Sequence, residues 1–346
     1  MELYSSQTLP GLRFDNLLLK GDGTAIASPQ PEPRSSLIGE LAATSHSTGL
    51  KFTFNALPGV PQAIIDGFVT AGNLWSAHFT DDVTVNIDIA FESLGSETLG
   101  DSISTQYNVP YRLGREKLIE DSTSFYDLLA TNSLPDRDSI PILINYTAEN
   151  TGQPIPYLDN DGSGNNANLR ITSANAKAIG LSVEETYPDG LIRFNRDIRW
   201  DLNRSNGITP GATDFIGVAI HEIGHILGFD SQVDRLDTLA ANGYAPVVSE
   251  DHHKPTPFDL FRFSADSFAI GAIDLTADDR DKYFSFYRGE NGTPLSTGKY
   301  LGNGDQASHW KDISIGIMDA TLRTGTQSNI TIFDRIAFDV IGWDLA

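Results

Sequence analysis

The sequence contains no cysteine among its 346 residues, and this absence removes three kinds of chemistry. Disulfide bonds, thiolate metal sites and a nucleophilic cysteine are all excluded. Any metal ion must therefore be held by histidines and carboxylates.

Long apolar segments are also missing. No apolar run approaches the roughly 18 residues that a membrane-spanning helix needs, so we expect no membrane span. The N-terminus has neither the basic start nor the apolar core of a secretory signal.

Basic residues are few. Lys and Arg total 24 against 46 Asp and Glu, which gives a formal net charge of −22. A surface of this charge repels the phosphates of nucleic acids and of anionic membranes. We therefore expect no nucleic-acid partner, and the acidity itself is typical of a soluble, solvated surface.

The apolar pattern predicts a mixed α/β first half and a looser second half. A proline-rich stretch over 21–49 is typical of a linker or propeptide, so residues 1–50 are interpreted as an N-terminal extension. Further along, spacings of three and four predict helices, whereas alternation and short apolar runs predict strands. One predicted helix begins at Pro61, and three others cover 174–179, 213–228 and 334–342. The predicted strands cover 83–91, 141–146 and 191–194.

The predicted helix over 213–228 carries the segment His221-Glu222-Ile223-Gly224-His225. Histidines four residues apart lie one turn apart on the same helix face and can direct two imidazoles at one zinc ion. Glu222, between them, can take a proton from a water activated by the metal. A random chain of this length carries such a motif on the order of 1% of the time, so chance is a weak alternative.

A catalytic zinc usually has three protein ligands and one open position. Among the seven histidines, His46 and His78 are interpreted as structural. The pair His252 and His253 lies in an acidic loop and stays open as a ligand source. His309 stands apart, 84 residues after His225.

The sequence here resembles a known family. HEIGHILGF resembles the active-site helix of the metzincin zinc peptidases, and IGIMDATL resembles their Met-turn, an apolar floor under the metal. The position of the usual third histidine is Ser231. Leishmanolysin-like peptidases instead take that histidine from an SHW sequence shortly before the Met-turn, and SHWKD is similar to it. The resemblance implies His309 as third ligand and Met318 as the Met-turn residue, with Asp230 and Asp234 as the rival third ligands.

The resemblance also implies the fold and the function. We expect a metzincin-like α+β fold in which a mixed sheet and the active-site helix form an N-terminal catalytic subdomain, 51–230. An irregular C-terminal subdomain, 231–346, carries the third ligand, the Met-turn and a closing helix. The implied activity is zinc-dependent hydrolysis of peptide bonds in protein or peptide substrates; the alternative is a zinc-stabilised binding or adhesion protein that does not cleave. Similarity to exported bacterial metallopeptidases leads us to expect a secreted protein.

The loop over 159–165, DNDGSGN, has the alternating oxygens and glycine of a calcium loop. Arg170 stands where an EF-hand would place its bidentate glutamate. The sequence therefore favours a polar Asx turn, with Ca²⁺ as the alternative.

Overall fold

The computed structural model describes residues 42–44, 49–96, 98–183, 186–287 and 292–346. These residues contain eight α-helices: α1 (Gln62–Ser76), α2 (Tyr111–Asp121), α3 (Phe125–Ser133), α4 (Ser173–Ala178), α5 (Phe215–Ile226), α6 (Val233–Ala241), α7 (Ala265–Ala269) and α8 (Ile332–Val340). None of these helices is long and apolar enough to cross a membrane.

The strands of the described residues are mostly short. They are β1 (Ala42–Thr44), β2 (Lys51–Ala56), β3 (Thr84–Glu92), β4 (Gly100–Ser104), β5 (Gln106–Pro110), β6 (Ile142–Ile144), β7 (Tyr157–Asp159), β8 (Asn168–Thr172), β9 (Gly190–Asn195), β10 (Trp200–Asp201), β11 (Thr213–Asp214), β12 (Arg262–Phe263), β13 (Ile273–Asp274), β14 (Lys282–Phe284) and β15 (Thr293–Leu295).

A five-stranded sheet in the order β1-β2-β3-β9-β4 supports the active-site helix. The central pairs, β2 with β3 and β3 with β9, are parallel, whereas β1 and β4 are antiparallel to their neighbours. In β3 the apolar side chains of Val85, Ile87 and Ile89 are fully buried, which is the alternation that the sequence predicts. The mixed sheet with packed helices confirms the expected metzincin-like α+β fold.

The helices α1 and α5 pack against each other through close-fitting apolar residues. A Cβ at Gly67 of α1 would lie 2.4 Å from Cε1 of Phe215 on α5, so this close approach requires glycine. The Phe68 ring lies 5.5 Å from the Phe215 ring, and the indole Nε1 of Trp75 donates to the carbonyl of Ile220 at 2.9 Å. These contacts fix the orientation of α5 on the sheet.

The predicted helix boundaries are close to the observed ones. Pro61 is the N-cap of α1, and Gly228, with φ of 117°, follows the end of α5. Asp214 occupies the N-cap position of α5, but its carboxylate forms an ion pair with Arg204 (Nε to Oδ1 2.9 Å) instead of capping the helix. The last helix begins at Ile332 because Thr331 and Asp334 form a capping box.

The N-terminal and C-terminal parts of the chain share their core. Strand β13 pairs in parallel with β6, and Trp343, just after α8, donates to the carbonyl of Leu227 at 2.8 Å. The Phe338 ring of α8 lies 4.7 Å from the Trp75 ring. Strand β1 pairs with β2, whereas the rest of 1–48 lies outside the described residues. The division at 50 and at 230 stays a prediction.

Candidate metal centre

Three histidines from two distant segments meet at one point. His221 and His225 lie on α5, as their spacing predicts, and His309 lies in the segment before the last helix. The Nε2 atom of His221 is 3.0 Å from that of His225 and 3.1 Å from that of His309. All three side chains are at most 1% exposed.

The other ring nitrogens decide which tautomer is present. Nδ1 of His221 is 2.7 Å from the carbonyl oxygen of Ile317, and Nδ1 of His225 is 2.7 Å from that of Phe229. Nδ1 of His309 lies 3.2 Å from the carbonyl oxygen of Gln306. Because a carbonyl oxygen only accepts hydrogen bonds, each Nδ1 must carry the proton.

It follows that three lone pairs on Nε2 face one another. Such an arrangement is repulsive unless a cation lies between them. Burial lowers the pKa of His221 well below its usual range, and the neighbouring histidines lower it further. Two ligands of a tetrahedral zinc, each about 2.0–2.1 Å from the metal, are about 3.3–3.4 Å apart. The observed nitrogen separations are close to this value, so the three histidines fit a zinc ion.

Glu222, between His221 and His225 on α5, is fully buried, and one of its carboxylate oxygens has no hydrogen-bond partner. Its Oε2 accepts a hydrogen bond from the Ser102 hydroxyl of β4 at 2.8 Å, whereas Oε1 has no partner. Burial raises the pKa of Glu222 well above its usual range; Ser102 opposes the shift and the charge of Asp101 adds to it. A carboxylate of this kind can accept and return a proton.

Met318 packs against α5. A Cβ at Gly224 would be 2.5 Å from the Met318 sulfur, so the glycine between His221 and His225 lets the methionine approach the helix. Asp334 of α8 holds the turn, because its carboxylate accepts from the backbone N–H of Ile317 (3.0 Å) and of Met318 (3.3 Å). Neither Asp334 nor Ser102 is visible as a site residue in the sequence.

The rival ligands Asp230 and Asp234 do not join the three histidines. Asp234 accepts hydrogen bonds from the backbone N–H of Ala307 (2.5 Å) and of Ser308 (3.0 Å), and Asp230 accepts from the Ser308 hydroxyl at 3.1 Å. Ser308 is the residue before His309. Both carboxylates therefore hold the segment that carries the third histidine.

Ser231 explains how a distant histidine reaches the site. The Ser231 backbone N–H donates to the Ser308 hydroxyl at 2.8 Å, so position 231 and the residue before His309 are neighbours in space. The chain between them leaves the site and returns to it. His253 is buried outside the three-histidine group, and His46 lies outside the described residues.

Donors within the loop over 159–165 form hydrogen bonds with its two carboxylates. Asp159 accepts from the Asn165 side-chain amide (2.7 Å) and from the Asp161 backbone N–H (3.5 Å), and Asp161 accepts from the Ser163 N–H at 2.7 Å. Oxygens of Asp159, Asp161 and Glu250 do lie within 4.8 Å of one another. The Asx-type bonds account for the loop without an ion, and the calcium alternative gains no support.

The comparison with family models matches residues 136–259 to the peptidase family described as Matrixin. This range contains α5 with His221, Glu222 and His225, and it ends before His309. Searches of curated proteins and of solved structures found no match. Together with the three-histidine geometry, the family match supports a metzincin-type zinc metallopeptidase.

Proposed function

We propose that this protein is a zinc endopeptidase in which His221, His225 and His309 hold the metal and Glu222 is the general base. The observation that carries the proposal is the convergence of three Nε2 lone pairs beside a buried carboxylate with one free oxygen. The arrival of the third histidine from a distant segment before Met318 supports a leishmanolysin-like arrangement.

When bound, zinc would supply a Lewis acid that lowers the pKa of water and polarises the scissile carbonyl. Oε1 of Glu222 would take the proton of the attacking water and deliver it to the leaving amine. The hydrogen bond from Ser102 holds the other oxygen, so Oε1 keeps its direction. Strand β4 ends the main sheet, and no strand of the described residues pairs with its outer edge; an extended peptide could add to a sheet at such an edge.

The test compares zinc content and cleavage of casein for the wild type and three variants. Glu222→Gln should keep one zinc per chain and lose cleavage, since the metal ligands remain and the base is gone. His309→Ala should lose both. His78→Ala, a histidine away from the site, is the matched control and should keep both.

Cleavage by Glu222→Gln at the wild-type rate would refute the role of Glu222 as general base. Zinc retained by His309→Ala would refute the third ligand. A wild type that binds zinc and cleaves neither casein nor a peptide library would favour the alternative, a zinc-stabilised binding protein.

A further inference from the structure

A buried hydrogen bond joins the segment of the third histidine to the last helix. Nε1 of Trp310 donates to Oδ1 of Asp334 at 2.8 Å, and both side chains are fully buried. Trp310 directly follows His309 in the chain, whereas Asp334 lies in the first turn of α8. The two residues therefore connect parts of the chain that would otherwise meet only through apolar packing.

The carboxylate of Asp334 accepts five hydrogen bonds, more than the capping box of α8 alone would need. Besides the indole, Thr331 donates its backbone N–H (2.7 Å) and its hydroxyl (2.8 Å). The other two donors are the backbone N–H groups of Ile317 (3.0 Å) and Met318 (3.3 Å). A Cβ at Gly316 would collide with the carboxylate, so glycine allows this close approach. One side chain thus fixes α8, the turn at Met318 and the indole relative to one another.

The first histidine depends on this turn through a single peptide group. The carbonyl of Ile317 and the N–H of Met318 belong to the same planar peptide. Its N–H donates to Asp334, and its carbonyl oxygen accepts from Nδ1 of His221 at 2.7 Å. Asp334 therefore orients the acceptor that decides where His221 directs its Nε2.

The other two histidines depend on Trp310. His309 is its neighbour in the chain, and the backbone N–H of Trp310 donates to the carbonyl of Met318 at 3.0 Å. The Trp310 ring also lies 4.9 Å from the Phe229 ring. The carbonyl oxygen of Phe229 is the acceptor for Nδ1 of His225, at 2.7 Å. The indole thus supports the backbone of the third histidine and the acceptor of the second.

We propose that Trp310 and Asp334 are a pair of positioning residues that hold the three imidazoles in the geometry that binds zinc. This inference rests on the proposed zinc site. Neither side chain is a ligand, and each acts through a carbonyl group or a neighbouring residue. Changes to groups that orient metal ligands typically cost about 10–100-fold in metal affinity. Breaking the pair should therefore weaken zinc binding although all three ligands remain.

The test measures two properties of the full chain: zinc affinity, by competition with a chelator, and the visible absorption of the Co²⁺-substituted protein. Trp310→Phe removes the indole N–H and keeps an aromatic ring, and it should weaken zinc binding by about tenfold. Asp334→Asn replaces one acceptor oxygen by an amide N–H₂ group, and it should weaken binding by about 10–100-fold. Because the absorption of Co²⁺ depends on the geometry of its ligands, both variants should change the spectrum.

The double variant decides whether the two residues act as a pair. If they act through their shared hydrogen bond, Trp310→Phe should add little once Asp334 is already Asn. The double variant should then bind zinc within about twofold of Asp334→Asn alone. Losses that multiply would mean that the residues act independently, and they would overturn the proposed pair.

Two matched controls make the same substitutions elsewhere. Trp200→Phe removes an indole that donates to the carbonyl of Asn195 at 2.8 Å, and Asp127→Asn changes the carboxylate in the capping box of α3. Both controls should keep the wild-type zinc affinity and Co²⁺ spectrum, even if they lower stability. Urea unfolding of the zinc-free proteins measures stability separately.

Reduced stability of Trp310→Phe and Asp334→Asn with wild-type affinity and spectrum would show a purely structural role and overturn the proposal. If Asp334→Asn does not fold, Trp310→Phe decides alone, because it leaves the other hydrogen bonds of Asp334 in place. A wild type that binds neither metal ion would refute the zinc site itself. Unaffected variants of a zinc-binding wild type would refute only the positioning pair.

Discussion

Ser102→Ala is the substitution that tests whether Glu222 is held for catalysis. The Ser102 hydroxyl is the hydrogen-bond partner of Oε2, at 2.8 Å, and Oε1 has none. Without Ser102 the buried carboxylate would lose the interaction that opposes the burial-induced rise of its pKa. Glu222, the proposed general base, would then be both less well oriented and harder to ionise.

The size of the effect follows from the strength of a hydrogen bond to a charged group, about 1.5–3 kcal/mol. With about 1.4 kcal/mol for each factor of ten, kcat/KM should fall by roughly 10–100-fold. The loss should lie in kcat, because Ser102 acts on the base and not on the metal ligands. Zinc content should remain at one per chain.

The assay is steady-state cleavage of a fluorogenic peptide that the wild type cleaves, with zinc measured on the same samples. Ser104→Ala is the matched control: it lies on the same strand, and its hydroxyl is 3.5 Å from the His225 carbonyl oxygen, a weak contact. Its kcat should stay within twofold of the wild type. If Ser102→Ala keeps the wild-type kcat with zinc bound, the hydrogen bond does not position the base and the reasoning is wrong.

Two further predictions concern zinc affinity and the pH dependence of stability. The two carboxylate oxygens of Asp234 each accept from one backbone N–H, of Ala307 and of Ser308, and Asp234→Asn keeps only one of these oxygens. The segment that carries His309 would be held less firmly, so zinc binding should weaken by about 10–100-fold. Competition with a chelator measures this affinity. Burial, aided by the charges of neighbouring aspartates, raises the pKa of Asp339 to about 7. Ionisation of Asp339 therefore destabilises the folded protein, and this destabilisation is absent at pH 4 and grows as the pH rises towards 8. Asp339→Asn should therefore stabilise the protein by about 1–2 kcal/mol at pH 8 in urea unfolding and not at pH 4; a gain of the same size at both values would contradict this.

The features that depend on local spacing were predictable from the sequence. The position of α5, its two histidines and its end just before Gly228 follow from the apolar period and from the glycine. The buried strand β3 follows from its alternation. In each case the residues that decide the structure are neighbours in the chain.

The remaining features depend on contacts between distant residues. Residue chemistry alone left the His252–His253 loop open as a source of the third ligand. The family resemblance added Asp230 and Asp234 as rivals, and the resemblance around Met318 favoured His309. Ser102 is 120 residues from Glu222, and no pattern in its strand marks it. Asp214 is a further example: it occupies the N-cap position of α5, but its carboxylate forms an ion pair with Arg204, a contact that periodicity cannot predict.

The distance between the second and third histidines also matters during synthesis. His309 is the 84th residue that the ribosome adds after His225, which at about 5–20 residues per second takes roughly 4–17 seconds. Throughout that interval the nascent chain has two of the three histidines and lacks the turn at Met318. The three histidines that we propose as zinc ligands therefore come together only after His309 has been made, and a chain truncated before His309 would carry α5 with two of the three.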